Sequence, residues 1–427
     1  MSETPWANAS ARTIAGEVRA GRKTQEALVE AADAVVAALE NDVKAFVHLE
    51  EASARRARLQ AQARHDDSPL AGLSLGVKDI FDTFDLPTEY LSPIYEGHQP
   101  KSDATCVAQA RAAGAAIYGK TVTTEFASFW PGPTCNPRNI EYSPGGSSSG
   151  SAAAVAAGMV PFALGTQTGG SVIRPAAFCG VVGYKPSYNL IPAVGLKTFA
   201  WSLDTVGIFA NRVDDAEFLI EAMVGETFST EAPSSLKVAY CRTPMADAAD
   251  DETWTHLGAI SDQLSKAGHT VKDLTLPRII GDAHDAHNVI NDGEGALSLM
   301  HERTYHRDKI SDRLNAILDR GATYSPSDHH AAQNTFADAR AALEDVWQDF
   351  DLILAPAAPG IAPKGQTTTG DSVFNRLWTG LGVPCVTLPL GTGTDTMPLG
   401  AQFIAPFFKD AALLAAAKAI EAAIYQS

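Results

Sequence analysis

Apolar residues recur at helical spacing from Thr24 to Glu40, where Ala27, Leu28, Ala31, Ala34, Val35, Ala38 and Leu39 share a face. Thr24 stands where a helix N-cap is expected. Much of residues 9–64 has the same helical texture. The segment Leu73 to Lys78 alternates instead, with Leu73, Leu75 and Val77 on one face, and predicts a strand. Thr105 to Gly114 predicts a helix stopped by Gly114, followed by a short strand from Ala115 to Gly119. Further strands are predicted over residues 236–241, 352–356 and 383–390. Helices are predicted over residues 252–268, most of 296–350, and 411–425. This alternation predicts an α/β fold: a mixed β-sheet flanked by helices on both sides. No internal repeat appears and no linker divides the chain cleanly, so residues 1–427 read as a single domain, with 225–235 as a candidate insertion boundary.

The span Tyr142 to Pro186 is crowded with Gly and Ser, yet its interior is strongly apolar. A flexible linker would lack those apolar residues. It therefore predicts packed structure with tight turns. Its apolar run, Ala152 to Gly165, is too short to span a bilayer and predicts a buried core helix.

Composition narrows the function. Lys and Arg total 33 against 50 Asp and Glu, a formal net charge of −17. Such a field repels polyanions, so no nucleic-acid partner is expected without a local basic patch. The one dense basic cluster, Arg55, Arg56 and Arg58, follows Glu50 and Glu51 and reads as a solvated helix face. The first twenty residues lack an apolar signal core, and no membrane partner is expected. Five scattered cysteines without a C-x-x-C pattern fit buried thiols in a reduced cytoplasm.

Two glycine-rich runs present hydroxyls: Gly145 to Ser151, and Gly165-Thr166-Gln167-Thr168-Gly169-Gly170-Ser171. Glycines leave backbone N–H groups unobstructed, so a serine after two glycines can sit beside several free donors. A nucleophilic serine needs a base. Eleven histidines exist, none near these runs. A lysine can serve when burial makes it neutral. Lys78 lies in the apolar segment Leu75 to Ile80, as either a buried functional group or an edge-strand surface residue.

Lys78 in G-V-K-D, the Gly145-Gly146-Ser147-Ser148 run, and G-T-x-x-G-G-S followed by R-P-A and G-Y-K-P together resemble the amidase signature family. The two serines stand 171 − 147 = 24 residues apart, as in that family. Ser202 to Gly207 resembles its S-x-D-x-x-G segment, and Gly382-Val383-Pro384 and Pro398 to Gln402 resemble its C-terminal strands. The resemblance covers most of residues 60–420, with a signature core of about 60–215. It implies a single amidase-signature fold and hydrolysis of a carboxamide C–N bond through a Ser acyl-enzyme. Ser171 is implied as nucleophile, Ser147 as a bridging serine after a cis peptide bond, and Lys78 as the ultimate base. The N–H groups of Thr168, Gly169, Gly170 and Ser171 are implied as the oxyanion hole. Ser148 and Thr166 are either loop supports or catalytic hydroxyls. No cofactor or metal is implied.

The pattern departs from the family in three places. Gln167 stands where most members have Asp, and Ser149 where many have Gly. Arg174 lies three residues after Ser171 rather than two. This local pattern resembles the malonamidase branch, in which that arginine holds a substrate carboxylate; the plain alternative is an arginine that pairs with a buried acid or caps carbonyls. Arg174, Gln167 and Ser148 are thus candidate substrate-binding residues. The expected partner is a small-molecule amide, and a homodimer is the oligomeric state to test. Specificity is expected from residues 280–335 and from 374–379, with Asn291, Asp292 and Arg376 as either pocket groups or surface.

Rival motifs are weaker. Gly146 to Gly150 also reads as G-x-S-x-G, but a nucleophile elbow should follow a strand, and residues 139–144 are polar. His284, His287, His329 and His330 read as core or surface rather than metal ligands. The A-type component of a glutamyl-tRNA amidotransferase complex shares the triad; the charge, the length and the Arg174 position count against it. A catalytically dead scaffold does not fit the retained Lys78, Ser147 and Ser171.

Overall fold

The computed structural model describes residues 4–62, 67–128, 130–228 and 230–425. Among the described residues, eleven strands form one mixed sheet. They are β1 (Phe46–His48), β2 (Ser74–Lys78), β3 (Ala116–Thr121), β4 (Phe162–Gln167), β5 (Val182–Lys185), β6 (Thr205–Ala210), β7 (Lys237–Cys241), β8 (Thr270–Leu274), β9 (Leu352–Pro356), β10 (Cys385–Thr392) and β11 (Pro398–Ile404). Their spatial order is β1-β3-β2-β4-β6-β5-β10-β11-β9-β7-β8. β2 runs parallel to β3 and β4, and β7 parallel to β8 and β9. The remaining pairs are antiparallel. Every residue of β2, β4, β5 and β6 is buried, so both faces of the centre are covered. That is why β4 reads as part of a continuous apolar run rather than a clean alternation.

Most elements lie where the pattern places them. Thr24 caps the helix Gln25–Val43, its hydroxyl accepting the Ala27 N–H. Leu352–Pro356 and the terminal helix Asp410–Tyr425 follow the apolar spacing closely.

Two expectations fail. The run from Ala152 to Gly165 is not one helix. The helix Ser149–Ala156 is followed by Gly158 at φ +72°, and β4 then begins at Phe162. A short apolar run carries no period that separates buried helix from buried strand; Gly158 and Pro161 are the signals that divide it. Nor is the arginine cluster a solvated face. Arg55 is buried and pairs with Asp33, Arg56 reaches the same carboxylate at 2.6 Å, and Arg58 pairs with Glu50 and Asp85. The pairs of Arg55 and Arg56 with Asp33 join the helix Ala52–Gln62 to the helix Gln25–Val43. No disulfide forms: the five cysteines are free, and all but Cys135 are buried. Among the described residues no helix is long and apolar enough to cross a membrane.

Candidate active site

The parallel pair β2 and β4 brings two strand ends together. Val77 stands opposite Leu164, so Lys78 ends its strand beside Thr166. Ligand sites in open α/β sheets gather at such carboxyl ends. Lys78 Nζ lies 2.7 Å from Thr166 Oγ1 and 2.7 Å from Ser147 Oγ. The amine is fully buried, and burial pushes its pKa well below the ordinary lysine range. The peptide bond between Gly146 and Ser147 is cis. Gly145, at φ +80°, turns the chain into this bond. A Cβ there would meet Pro175 Cα at 2.9 Å.

Ser171 follows β4 and lines a cavity of about 160 Å³ with Thr168, Gly169, Gly170 and Arg174. Larger clefts exist, one of about 370 Å³ between residues 25–29 and 111–116, but Ser171 lines none of them. The loop before Ser171 is pinned from outside. Thr379 Oγ1 donates to the Gly169 carbonyl at 2.7 Å, and His287 Nε2 lies 2.8 Å from the Thr168 carbonyl. Since that carbonyl can only accept, His287 carries its proton on Nε2. A planar trans peptide points its N–H opposite its C=O. These contacts therefore turn the N–H groups of Gly169 and Gly170 away from His287 and Thr379. Among the described residues, neither N–H, nor that of Ser171, has an acceptor. Such a row of free donors suits a developing oxyanion. Gly170 is required by close approach: a Cβ would fall 2.3 Å from Asn375 Oδ1.

Arg174 is 2 % exposed and lines the cavity. One nitrogen, Nη2, donates to the Gly146 carbonyl at 2.5 Å and to Thr369 Oγ1 at 3.3 Å. Among the described residues, Nε and Nη1 have no partner. Burial pushes its pKa down to about 10, so the guanidinium stays charged at neutral pH. A buried cation with orphaned donors is costly unless an anion meets it.

Two expected binding residues are not in the cavity. Gln167 Oε1 accepts the N–H groups of Val172 and Ile173 at 2.9 and 3.0 Å, and its amide donates to Thr379 Oγ1 at 3.0 Å. It caps the helix Ile173–Cys179 that carries Arg174. Ser148 exchanges 3.2 Å hydrogen bonds with the backbone of Thr166. Both side chains are consumed internally, which corrects their assignment to substrate binding.

The less recognisable stretch does build the opposite wall. The helix Arg278–Ser298 supplies His287, Asn291 and Asp292, and the helix Val373–Gly380 supplies Arg376. Asp292 accepts from Arg320 at 2.6 Å. His287 is the residue that motif reasoning misses. Its only sequence signal is its spacing from His284 on one helix face. Burial pushes its pKa down to about 3, which keeps the ring neutral.

Comparison with known proteins agrees with this architecture. The Amidase family profile matches residues 27–414. The A-type component of glutamyl-tRNA(Gln) amidotransferase from Lysinibacillus sphaericus is 31% identical, over 97% of this chain and 96% of its own. A crystal structure of an amidase superposes with a TM-score of 0.87 at 27% identity, covering 97% of this chain and 99% of that one. The 6-aminohexanoate cyclic dimer hydrolase complexed with substrate gives 0.86 at 25%, covering 98% and 97%. Sequence and fold thus agree, and the chain belongs to the amidase signature family, whose members act on C–N bonds.

Proposed function

We propose that this chain hydrolyses the carboxamide of a small substrate that also carries a carboxylate, releasing ammonia through an acyl-enzyme on Ser171. The observation that carries the reading is the buried Lys78 amine, 2.7 Å from Ser147 Oγ. A neutral amine there accepts a proton from Ser147 as Ser147 takes the proton of Ser171 Oγ. Ser171 then attacks the amide carbon. Charge grows on the carbonyl oxygen and meets the free N–H groups of Gly169, Gly170 and Ser171, with Thr168 at the head of the loop. Collapse of the tetrahedral species returns the proton through Ser147 to the leaving nitrogen. Water reverses the sequence to free the acid. The unpartnered nitrogens of Arg174 supply the case for a carboxylate, which a guanidinium can receive in a forked pair. The cavity of about 160 Å³ favours small substrates. The reaction fits a cytoplasmic setting.

The test is ammonia release from a panel that pairs neutral amides with acid-bearing ones such as malonamate, with and without Ser171→Ala. Release from acid-bearing amides that vanishes in the variant supports the reading. Release that survives in Ser171→Ala sinks it.

The comparison with known proteins supports a second reading better than this one. The 31% identity to an amidotransferase component spans nearly both chains. Under that reading the carboxylate-bearing amide is glutamine, and the chain works with partner proteins. Steady turnover by the purified chain alone favours the first reading. Turnover of glutamine only after those partners are added favours the second.

A further inference from the structure

One carboxylate lies behind both halves of the candidate site. β6 begins at Thr205, which stands opposite Gln167 in β4, so Asp204 comes beside Thr168. Thr168 Oγ1 donates to Asp204 Oδ1 at 2.6 Å. Asp204 Oδ2 accepts the N–H groups of Phe199 and Ala200 at 2.8 and 3.1 Å. Three donors converge on two oxygens. An amide at this position would turn an NH2 towards one of them. Among the described residues, Asp204 is also the charged group that acts on Lys78. The groups touching Lys78, Ser147 Oγ and Thr166 Oγ1, are neutral hydroxyls.

We propose that Asp204 is a positioning residue that ties the oxyanion loop to the start of β6 through Thr168. The inference rests on the roles proposed above for Lys78 and Ser171. Thr168 is held twice, by its hydroxyl on Asp204 and its carbonyl on His287. The peptide that presents the Gly169 N–H is therefore set before charge develops, which is when such a donor is most effective. Electrostatically, burial disfavours the charged form of each partner. It pushes the Asp204 carboxyl up to about 6 and the Lys78 amine down. Each charge favours the other, so the two titrate as a coupled pair. His287 on the far side of Thr168 is neutral and adds no charge.

The experiment is a pH profile of kcat and kcat/KM for ammonia release by the whole chain, comparing wild type with Asp204→Asn, Thr168→Val and Thr168→Ser. Loss of the anion removes what favours the Lys78 ammonium, so the acid limb of Asp204→Asn moves to lower pH by about one unit. Thr168→Val keeps the charge and loses the tether: kcat falls about tenfold while the limb stays, and Thr168→Ser recovers the rate. Wild-type kcat in Asp204→Asn overturns the inference. Should that variant not fold, the Thr168 pair decides: wild-type kcat in Thr168→Val overturns it, and loss restored by Thr168→Ser supports it. Ammonia release that persists in Ser171→Ala would instead defeat the underlying reading. A dead Ser171→Ala together with wild-type kcat in Asp204→Asn defeats only the role of Asp204.

Discussion

Thr379 Oγ1 donates to the carbonyl oxygen of Gly169 at 2.7 Å and so fixes one peptide plane of the loop before Ser171. Thr379 lies on a helix far along the chain and need not touch substrate to matter. Removing its hydroxyl frees the Gly169 carbonyl and lets the Gly170 N–H swing. Thr379→Val is expected to lower kcat by about tenfold or more, with a smaller change in KM, because the lost alignment serves the transition state. Steady-state kinetics on the preferred amide check this. A rise in KM with unchanged kcat would contradict it.

The pH dependence follows from which groups can titrate. Lys78 must be neutral to accept a proton, and burial places its pKa well below the usual lysine value. Activity therefore falls as pH drops through that pKa and Lys78 becomes an ammonium. His287 cannot produce this limb, because its own pKa is pushed down to about 3. His287→Gln is expected to lower kcat about tenfold through the Thr168 carbonyl and to leave the acid limb in place. A kcat/KM profile between about pH 5 and 10 decides the matter, since loss of the limb in His287→Gln would assign it to the imidazole.

Arg174 gives the clearest prediction of specificity. Its orphaned Nε and Nη1 can gain charge-assisted hydrogen bonds from a substrate carboxylate. Such bonds contribute about 1.5–3 kcal/mol, or roughly 10- to 100-fold. Arg174→Gln is expected to reduce kcat/KM for acid-bearing amides by that factor. Neutral amides should change by less than about threefold. Equal losses for both classes would show that the arginine only supports the Gly146 carbonyl, which it contacts at 2.5 Å.

How far the sequence reaches depends on the kind of signal. Lys78, Ser147, Ser171 and the two glycine loops stand in local motifs; Lys78 ends β2, the loop to Ser171 follows β4, and Ser147 meets Lys78 from the loop before the helix Ser149–Ala156. The partition of the apolar run around Gly158 is hidden because burial on both faces erases strand periodicity. The arginine cluster misleads because the partner of Arg55 is Asp33, 22 residues earlier and on another helix. Gln167 and Ser148 illustrate a different limit. A motif shows that a position sits near the chemistry, but not on which side of the backbone its side chain falls. His287 and Thr379 fall in the stretches expected to shape specificity, but their hold on the loop is hidden, because they approach it from elements 119 and 210 residues away.

Gln167 offers a test of why this chain departs from the aspartate most members carry. Its amide end donates to Thr379 Oγ1, so the single hydroxyl proton of Thr379 goes to a carbonyl, that of Gly169 at 2.7 Å rather than that of Asn375 at 3.1 Å. Its oxygen accepts the N–H groups of Val172 and Ile173, so a carboxylate would keep that cap. In Gln167→Glu the second oxygen can only accept and competes for the Thr379 proton. The Gly169 carbonyl then loses its partner, and the loop is expected to slacken as it does in Thr379→Val. The variant should show a fall in kcat of about tenfold with folding intact, since the helix cap is preserved. In the Thr379→Val background the same substitution should add little, because the contact it disrupts is already gone. Additive losses in the double variant would show that Gln167 acts on the site by a route other than Thr379.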